Sequence, residues 1–148
     1  MQYTFLFASE RSGSNLMLKV MDAHPAYCGP SPKHLLRTMA HNLWRYGDLA
    51  QPANWQAYLA DVAALWQHNL GTWHTTLDAA TLAGLAPPGQ PLALLLALHE
   101  REAAAHGAQR LFIKENQAWA YTAFLLSLAP EAQFVHLVRD PRDMALSY

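Results

Sequence analysis

Two stretches of the sequence hold residues whose types and spacing suit anion chemistry. The first is "FLFASERSGSN", where Arg11, Ser12, Gly13, Ser14 and Asn15 follow a short apolar run and precede a helical pattern. A helix N-terminus offers unpaired N–H groups and the positive end of its dipole to an anion. Glycine lets the backbone approach a phosphate oxygen closely. Ser12, Ser14 and Asn15 add side-chain donors, and Arg11 adds a planar fork of charge. The second stretch is "FVHLVRDPRDMALSY", where an apolar run delivers Arg139, and Ser147 follows eight residues later. Asp140 suits an N-cap, Pro141 the first helical position and Asp143 the positive end of a helix, so these three have structural roles. Arg142 reads as a solvated side chain. Ser147 lies roughly 9 Å along the helix axis from Pro141, and its side chain leans back toward the N-terminus. Arg139 and Ser147 can therefore meet at one anion. The alternative is an Arg paired with a carboxylate and a Ser bonded to its own helix.

The first loop is not a nucleoside-triphosphate loop of the G-x-x-x-x-G-K-[ST] type. With Gly13 on the second glycine, Ala8 takes the first, Ser14 the lysine and Asn15 the Mg²⁺-holding hydroxyl. Three of the four diagnostic positions fail. The positive charge comes instead from Arg11.

The elements that must position these residues follow from periodicity and punctuation. Tyr3–Ala8 predicts a strand and 13–23 a helix, with Leu16, Leu18, Val20 and Met21 as its candidate buried side. His24-Pro25 ends that helix, and "AYCGPSPK" is a Gly- and Pro-rich loop. Residues 33–107 are helical in character, with breaks at Gly47, Pro52, Gly71, "APPGQP" and Gly107. Within them, Trp44, Trp55 and Trp66 fit either large core residues or an aromatic wall for an acceptor. Arg110–Lys114 predicts a second strand, Ala118–Pro130 a helix and Gln133–Arg139 a third strand. Strands alternating with helices imply an α/β fold with a three-layer parallel sheet, a strand–loop–helix start of P-loop-like type and a helical insert between the first and second strands. Arg139 then falls at a strand's C-terminal end, where open α/β sheets bind ligands.

Bulk composition narrows the classes further. The chain has 148 residues, 52% of them hydrophobic, and a formal net charge of −1. That length suits one domain with a real core. The lack of a basic stripe disfavours a nucleic-acid partner. The single cysteine, Cys28, forms no internal disulfide and reads as a small loop or core residue. The apolar "PLALLLALHE" is too short to span a bilayer, so the expectation is a soluble cytoplasmic protein. His34 and His41, like His99 and His106, are seven apart, too far along a helix to share a metal. No Cys or His cluster has zinc spacing, so no metal is expected.

Taken in order, these motifs resemble a known family. "ASERSGSNLM" resembles the 5′-phosphosulfate loop of the sulfotransferases that use 3′-phosphoadenosine 5′-phosphosulfate (PAPS). "LVRDPRDMALSY" resembles their 3′-phosphate motif, an Arg followed eight residues later by a Ser. "FIK" resembles their strand ending in an active-site lysine. The resemblance implies that Arg11, Ser12, Gly13, Ser14 and Asn15 hold the 5′ end of PAPS and that Arg139 and Ser147 hold its 3′-phosphate. It also implies metal-free transfer of a sulfuryl group to a hydroxyl or amine of a small-molecule or glycan acceptor, with Arg11 and Lys114 stabilising the leaving phosphate. The other reading of Lys114 is a strand-end residue pointing into water.

The general base departs from the family pattern. Where many members carry Lys-Thr-His, this chain has Lys114-Glu115-Asn116, and "GPSPKHLLR" lacks the carboxylate that other branches place after the first helix. His34 is the first candidate, since imidazole titrates in the right range, and Glu115 the second. A surface position at a helix start is the other reading of His34. Leu16 stands where many members carry an adenine-stacking aromatic. The sequence stops at Tyr148, within an expected helix, so it reads as a single sulfotransferase-like domain, incomplete at its end, with 33–107 on the acceptor side. Two other readings share these features: a P-loop kinase or other NTP-binding enzyme, and a catalytically inactive sulfotransferase-like fragment.

Overall fold

The computed structural model describes residues 1–68, 71 and 73–146. Its centre is a four-stranded, all-parallel sheet in the order β2-β3-β1-β4, formed by β1 (Gln2–Ala8), β2 (Tyr27–Cys28), β3 (Arg110–Ile113) and β4 (Gln133–Leu137). Phe5 of β1 pairs with Ile113 on one side and Phe134 on the other, so β1 is central. Alternation along β1 divides the core. Leu6, with Phe112 and Leu18, builds the layer under α1 (Ser14–Asp22). Phe5, with Leu111 and Ile113, faces the larger layer built by the helical insert.

That insert comprises α2 (Leu35–Thr38), a 3₁₀ segment (Ala40–Tyr46), α3 (Pro52–His68), α4 (Ala79–Ala83) and α5 (Pro91–Ala105). Proline opens both α3 and α5. It is tolerated there because the first helical N–H has no intrahelical acceptor. Leu94, Leu95 and Leu98 of α5 are buried with Leu59 and Val62 of α3. The remaining elements are a 3₁₀ turn (Ala118–Tyr121), α6 (Thr122–Leu128) and α7 (Pro141–Ala145).

The α/β class, the parallel sheet and the order of elements agree with the sequence reading, and several details differ. Tyr27–Cys28 is a fourth strand where a loop was expected, paired with Arg110 and Leu111 of β3. Two residues amid glycine and proline carry no alternation to detect. Leu16 and Val20 are exposed, whereas Ser14 and Leu18, four apart, face the sheet with Met17 and Met21 half-buried. One sheet face can cover only one stripe of a helix. β4 ends at Leu137, two residues before Arg139, and the expected helix at 118–130 begins as a 3₁₀ turn. Trp55 and Trp66 are core residues, and Trp44 is exposed. Cys28 is fully buried; burial and the Glu102 and Asp22 carboxylates push its thiol up to about 12, leaving it protonated near neutrality.

Candidate functional site

Three strands end in the same crevice. After β1 the chain turns through Ser9–Gly13 into α1. Arg11 and Gly13 both adopt positive φ, 62° and 94°. Glycine does so without penalty, while Arg11 does so at a cost of roughly 1–2 kcal/mol. The Ser12 hydroxyl donates to the Ser9 carbonyl at 2.7 Å and tightens the turn. Gly13 caps α1, and its carbonyl accepts from Met17 N–H at 3.1 Å. The N–H groups of Ser14, Asn15 and Leu16 thus have no carbonyl of their own helix to bond. After β3 comes Lys114, and two residues past β4 comes Arg139, whose guanidinium donates to the Arg11 carbonyl at 3.0 Å.

A cleft of about 950 Å³ opens over these strand ends. Arg11, Gly13, Ser14, Asn15, Lys114 and Arg139 line it, and His34 joins them from the insert. Its volume lies in the range of small-molecule and cofactor sites, roughly 300–1,000 Å³. Four basic side chains line it, Arg11, Lys19, Lys114 and Arg139, against the carboxylates of Glu10 and Asp22. A chain of net charge −1 therefore concentrates positive charge here. Lys114 is only 9% exposed, and burial lowers its pKa against the opposing pull of Glu115 and Glu10.

Glu10 within an anion-binding loop would repel a phosphate if left alone. It is compensated: Arg37 pairs with it at 3.0 Å, and Asn116 donates to the same oxygen at 3.4 Å. Sequence reasoning passed over Glu10 and Lys19. Lys19 had a local signal, four residues from Asn15 on the same face of α1. Glu10 had none, because its partners come from positions 37 and 116.

His34 begins α2 with φ of 56°, and its carbonyl accepts from Thr38 N–H at 2.8 Å. Burial lowers its pKa, helped by the charges of Lys114 and Arg37 and opposed by Glu10. The ring is therefore neutral at pH 7. Its Nδ1 is buried without a hydrogen-bond partner among the described residues.

Ser12 and Glu115 do not line the cleft. Ser12 is buried in the turn. Glu115 is 3% exposed and lies behind the wall, where its Oε2 accepts from Leu36 N–H at 3.2 Å. Burial pushes its pKa up to about 7, and the N–H dipoles of Leu36, Leu35, Lys33 and His34 hold it from going higher. Glu115 thus fixes the start of α2 to the end of β3. Ser147 lies outside the described residues.

Glu115 implies a pH signature. Its folded pKa exceeds the ordinary 4.5, so the folded state binds the extra proton and stability falls as pH rises from about 4.5 through about 7. The contribution lost is about 3 kcal/mol. Glu115→Gln should remove that slope, and thermal melts of both proteins from pH 5 to 8 measure it. Parallel curves would show that Glu115 does not titrate in this range.

The fold and the cleft together define an α/β domain with a cleft lined by basic side chains at the C-terminal edge of a parallel sheet. The chain belongs to the sulfotransferase family, whose family model matches residues 4–148. Comparison with curated proteins gave no match. Among the described residues, no helix is long and apolar enough to cross a membrane.

Proposed function

We propose that the protein transfers a sulfuryl group from PAPS to a hydroxyl or amine of a small-molecule or glycan acceptor. The observation that carries this reading is the convergence of the Arg11–Asn15 loop, Lys114, Arg139 and His34 on one positively charged cleft. The α1 N-terminus and the Ser14 and Asn15 side chains suit the 5′ phosphosulfate end. Arg139, already bonded to the Arg11 carbonyl, suits the 3′-phosphate, with Ser147 as its second partner. The family's chemistry supports PAPS as donor; the acceptor enters from the side of the 33–107 insert.

In this reading the acceptor oxygen or nitrogen attacks sulfur in line, and the bond from sulfur to the bridging oxygen breaks. Lys114 and Arg11 stabilise the charge that grows on the departing phosphate. The neutral His34 imidazole takes the acceptor's proton. Glu115, which does not line the cleft, holds His34 and Lys114 in register rather than acting as base.

The test of the donor is calorimetric titration with adenosine 3′,5′-bisphosphate in EDTA, beside ADP. Tight binding of the bisphosphate and weak binding of ADP supports PAPS. Equal binding of the two, or a requirement for Mg²⁺, points to a nucleotide-triphosphate enzyme instead. A folded chain that ignores both is an inactive relative. The base has its own readout. With a pKa below the ordinary 6.5, His34 keeps the rate flat from pH 7 to 8 and lets it fall only in acid. His34→Ala should lower kcat on the order of 100-fold and leave bisphosphate affinity unchanged. A variant with wild-type kcat rules His34 out as the base.

A further inference from the structure

A second group of side chains meets at the cleft wall, and the sulfuryl-transfer scheme does not use it. Glu102 and His106 are one turn apart at the end of α5, so they share a face. His74 comes from the segment before α4. The ligating atoms of His74, Glu102 and His106 all lie within 4.8 Å of one another. Nδ1 of His74 is 3.3 Å from Glu102 Oε1, and Nδ1 of His106 is 3.7 Å from the same oxygen. Two ligands each about 2.0–2.1 Å from a tetrahedral Zn²⁺ stand roughly 3.3 Å apart, so little movement closes this set around an ion.

The surroundings favour a cation. Glu102 is fully buried. Its Oε2 accepts from Thr75 N–H at 3.0 Å and from the Thr75 hydroxyl at 2.7 Å; its Oε1 accepts from His74 N–H at 2.7 Å. These bonds fix the carboxylate's orientation, the role of outer-shell groups around a metal ligand. They bring no positive charge. Among the described residues, its ion-pair partners within 4.0 Å are the two imidazoles. The Lys33 ammonium donates to the Trp66 and Gly71 carbonyls and also feels the Glu102 charge. A buried carboxylate beside two imidazoles whose rings meet edge-on at 4.1 Å is a ready-made His₂-carboxylate donor set. His74 and His106 also line the cleft.

We infer that His74, Glu102 and His106 form a binding site for a divalent transition metal of the Zn²⁺ class, clamping the segment before α4 onto the end of α5. The donor set, two imidazoles and a carboxylate, suits Zn²⁺ or Co²⁺ over Mg²⁺ or Ca²⁺. Nothing in the inference depends on the identity of the sulfuryl donor.

The test uses the full chain, stripped with chelator and titrated with Zn²⁺ by calorimetry and with Co²⁺ by visible absorption. One equivalent should bind, with the intense visible bands of four-coordinate Co²⁺. His106→Ala and His74→Ala should each weaken binding on the order of 100-fold or more, since loss of an outer-shell partner alone costs 10–100-fold. His68→Ala, an exposed histidine on α3, should leave binding unchanged. His74 has a 66% exposed side chain, so its variant keeps the test valid even where His106→Ala fails to fold. No uptake, or uptake that His74→Ala leaves unmoved, or uptake that His68→Ala weakens equally, overturns the site.

Discussion

Arg139→Ala should lose on the order of 100-fold in affinity for adenosine 3′,5′-bisphosphate, about 3 kcal/mol, and should bind ADP as the wild type does. The asymmetry is what identifies the role. A guanidinium on a terminal phosphate makes charge-assisted, often paired, hydrogen bonds, and ADP lacks the 3′ group that would receive them. Arg139 is exposed, and among the described residues its guanidinium donates to the Arg11 carbonyl. Truncation therefore leaves the core intact, and far-UV circular dichroism checks that. Arg139→Lys should recover part of the loss, since charge returns without the fork. Equal weakening toward both nucleotides would instead mean that Arg139 supports the Arg11 turn. Unchanged affinity would remove it from the donor site altogether.

The second large effect is expected at Lys114. Lys114→Met should lower kcat on the order of 100- to 1,000-fold, the range for loss of one preorganised donor to a developing anion. The bisphosphate Kd should change far less, by under about tenfold, because the interaction strengthens as charge develops in the transition state. Burial makes this ammonium matter. A cation in a poorly hydrated wall acts on a nearby oxygen through a lower effective dielectric than one in water. Met matches the volume of the lysine stem, so the end of β3 should pack unchanged. Single-turnover rates with any accepted hydroxyl or amine measure the effect. A fall in affinity equal to the fall in rate would make Lys114 a ground-state binding residue. Wild-type turnover would return it to the role of a strand-end side chain.

The parts of this molecule legible in its sequence are those whose physics is local. The Ser9–Gly13 turn is legible because strand, glycine and helix start are contiguous. The α7 start is legible because Asp140 and Pro141 write a cap within two residues; the Asp140 carboxylate does accept from Arg142 N–H at 2.9 Å. Arg142, read as solvated, also pairs with Asp140 at 2.6 Å. What escaped is carried by distant pairs. Glu115 looked like a base because its donor partner, Leu36 N–H, lies 79 residues away. The Glu10–Arg37 pair spans 27 residues, and His74 meets Glu102 across 28. Histidine spacing along one helix excluded a shared metal within each pair. It had no access to an imidazole supplied by another segment. The misjudged face of α1 has a different cause: Leu16, Leu18, Val20 and Met21 are all apolar, and only the sheet decides which two of them it covers.

The carboxylate of Glu115 has a consequence for how such an enzyme changes its substrates. It pins the first residues of the insert, His34 among them, to the end of the strand that bears Lys114. From Met39 onward the insert packs through Trp55, Leu59, Val62 and the leucines of α5 into the same core as Phe5, Leu111 and Ile113 of the sheet. Under the proposed function, the parts that choose an acceptor and the parts that move the sulfuryl group thus rest on one shared core. A foreign 40–105 segment should redirect selectivity while the machinery stays aligned only if it keeps the apolar side chains that meet Phe5, Leu111 and Ile113 beside an unchanged Lys33–Leu36 and Glu115. That makes the cleft-facing residues of the insert, rather than its core tryptophans, the ones to change when engineering a new acceptor.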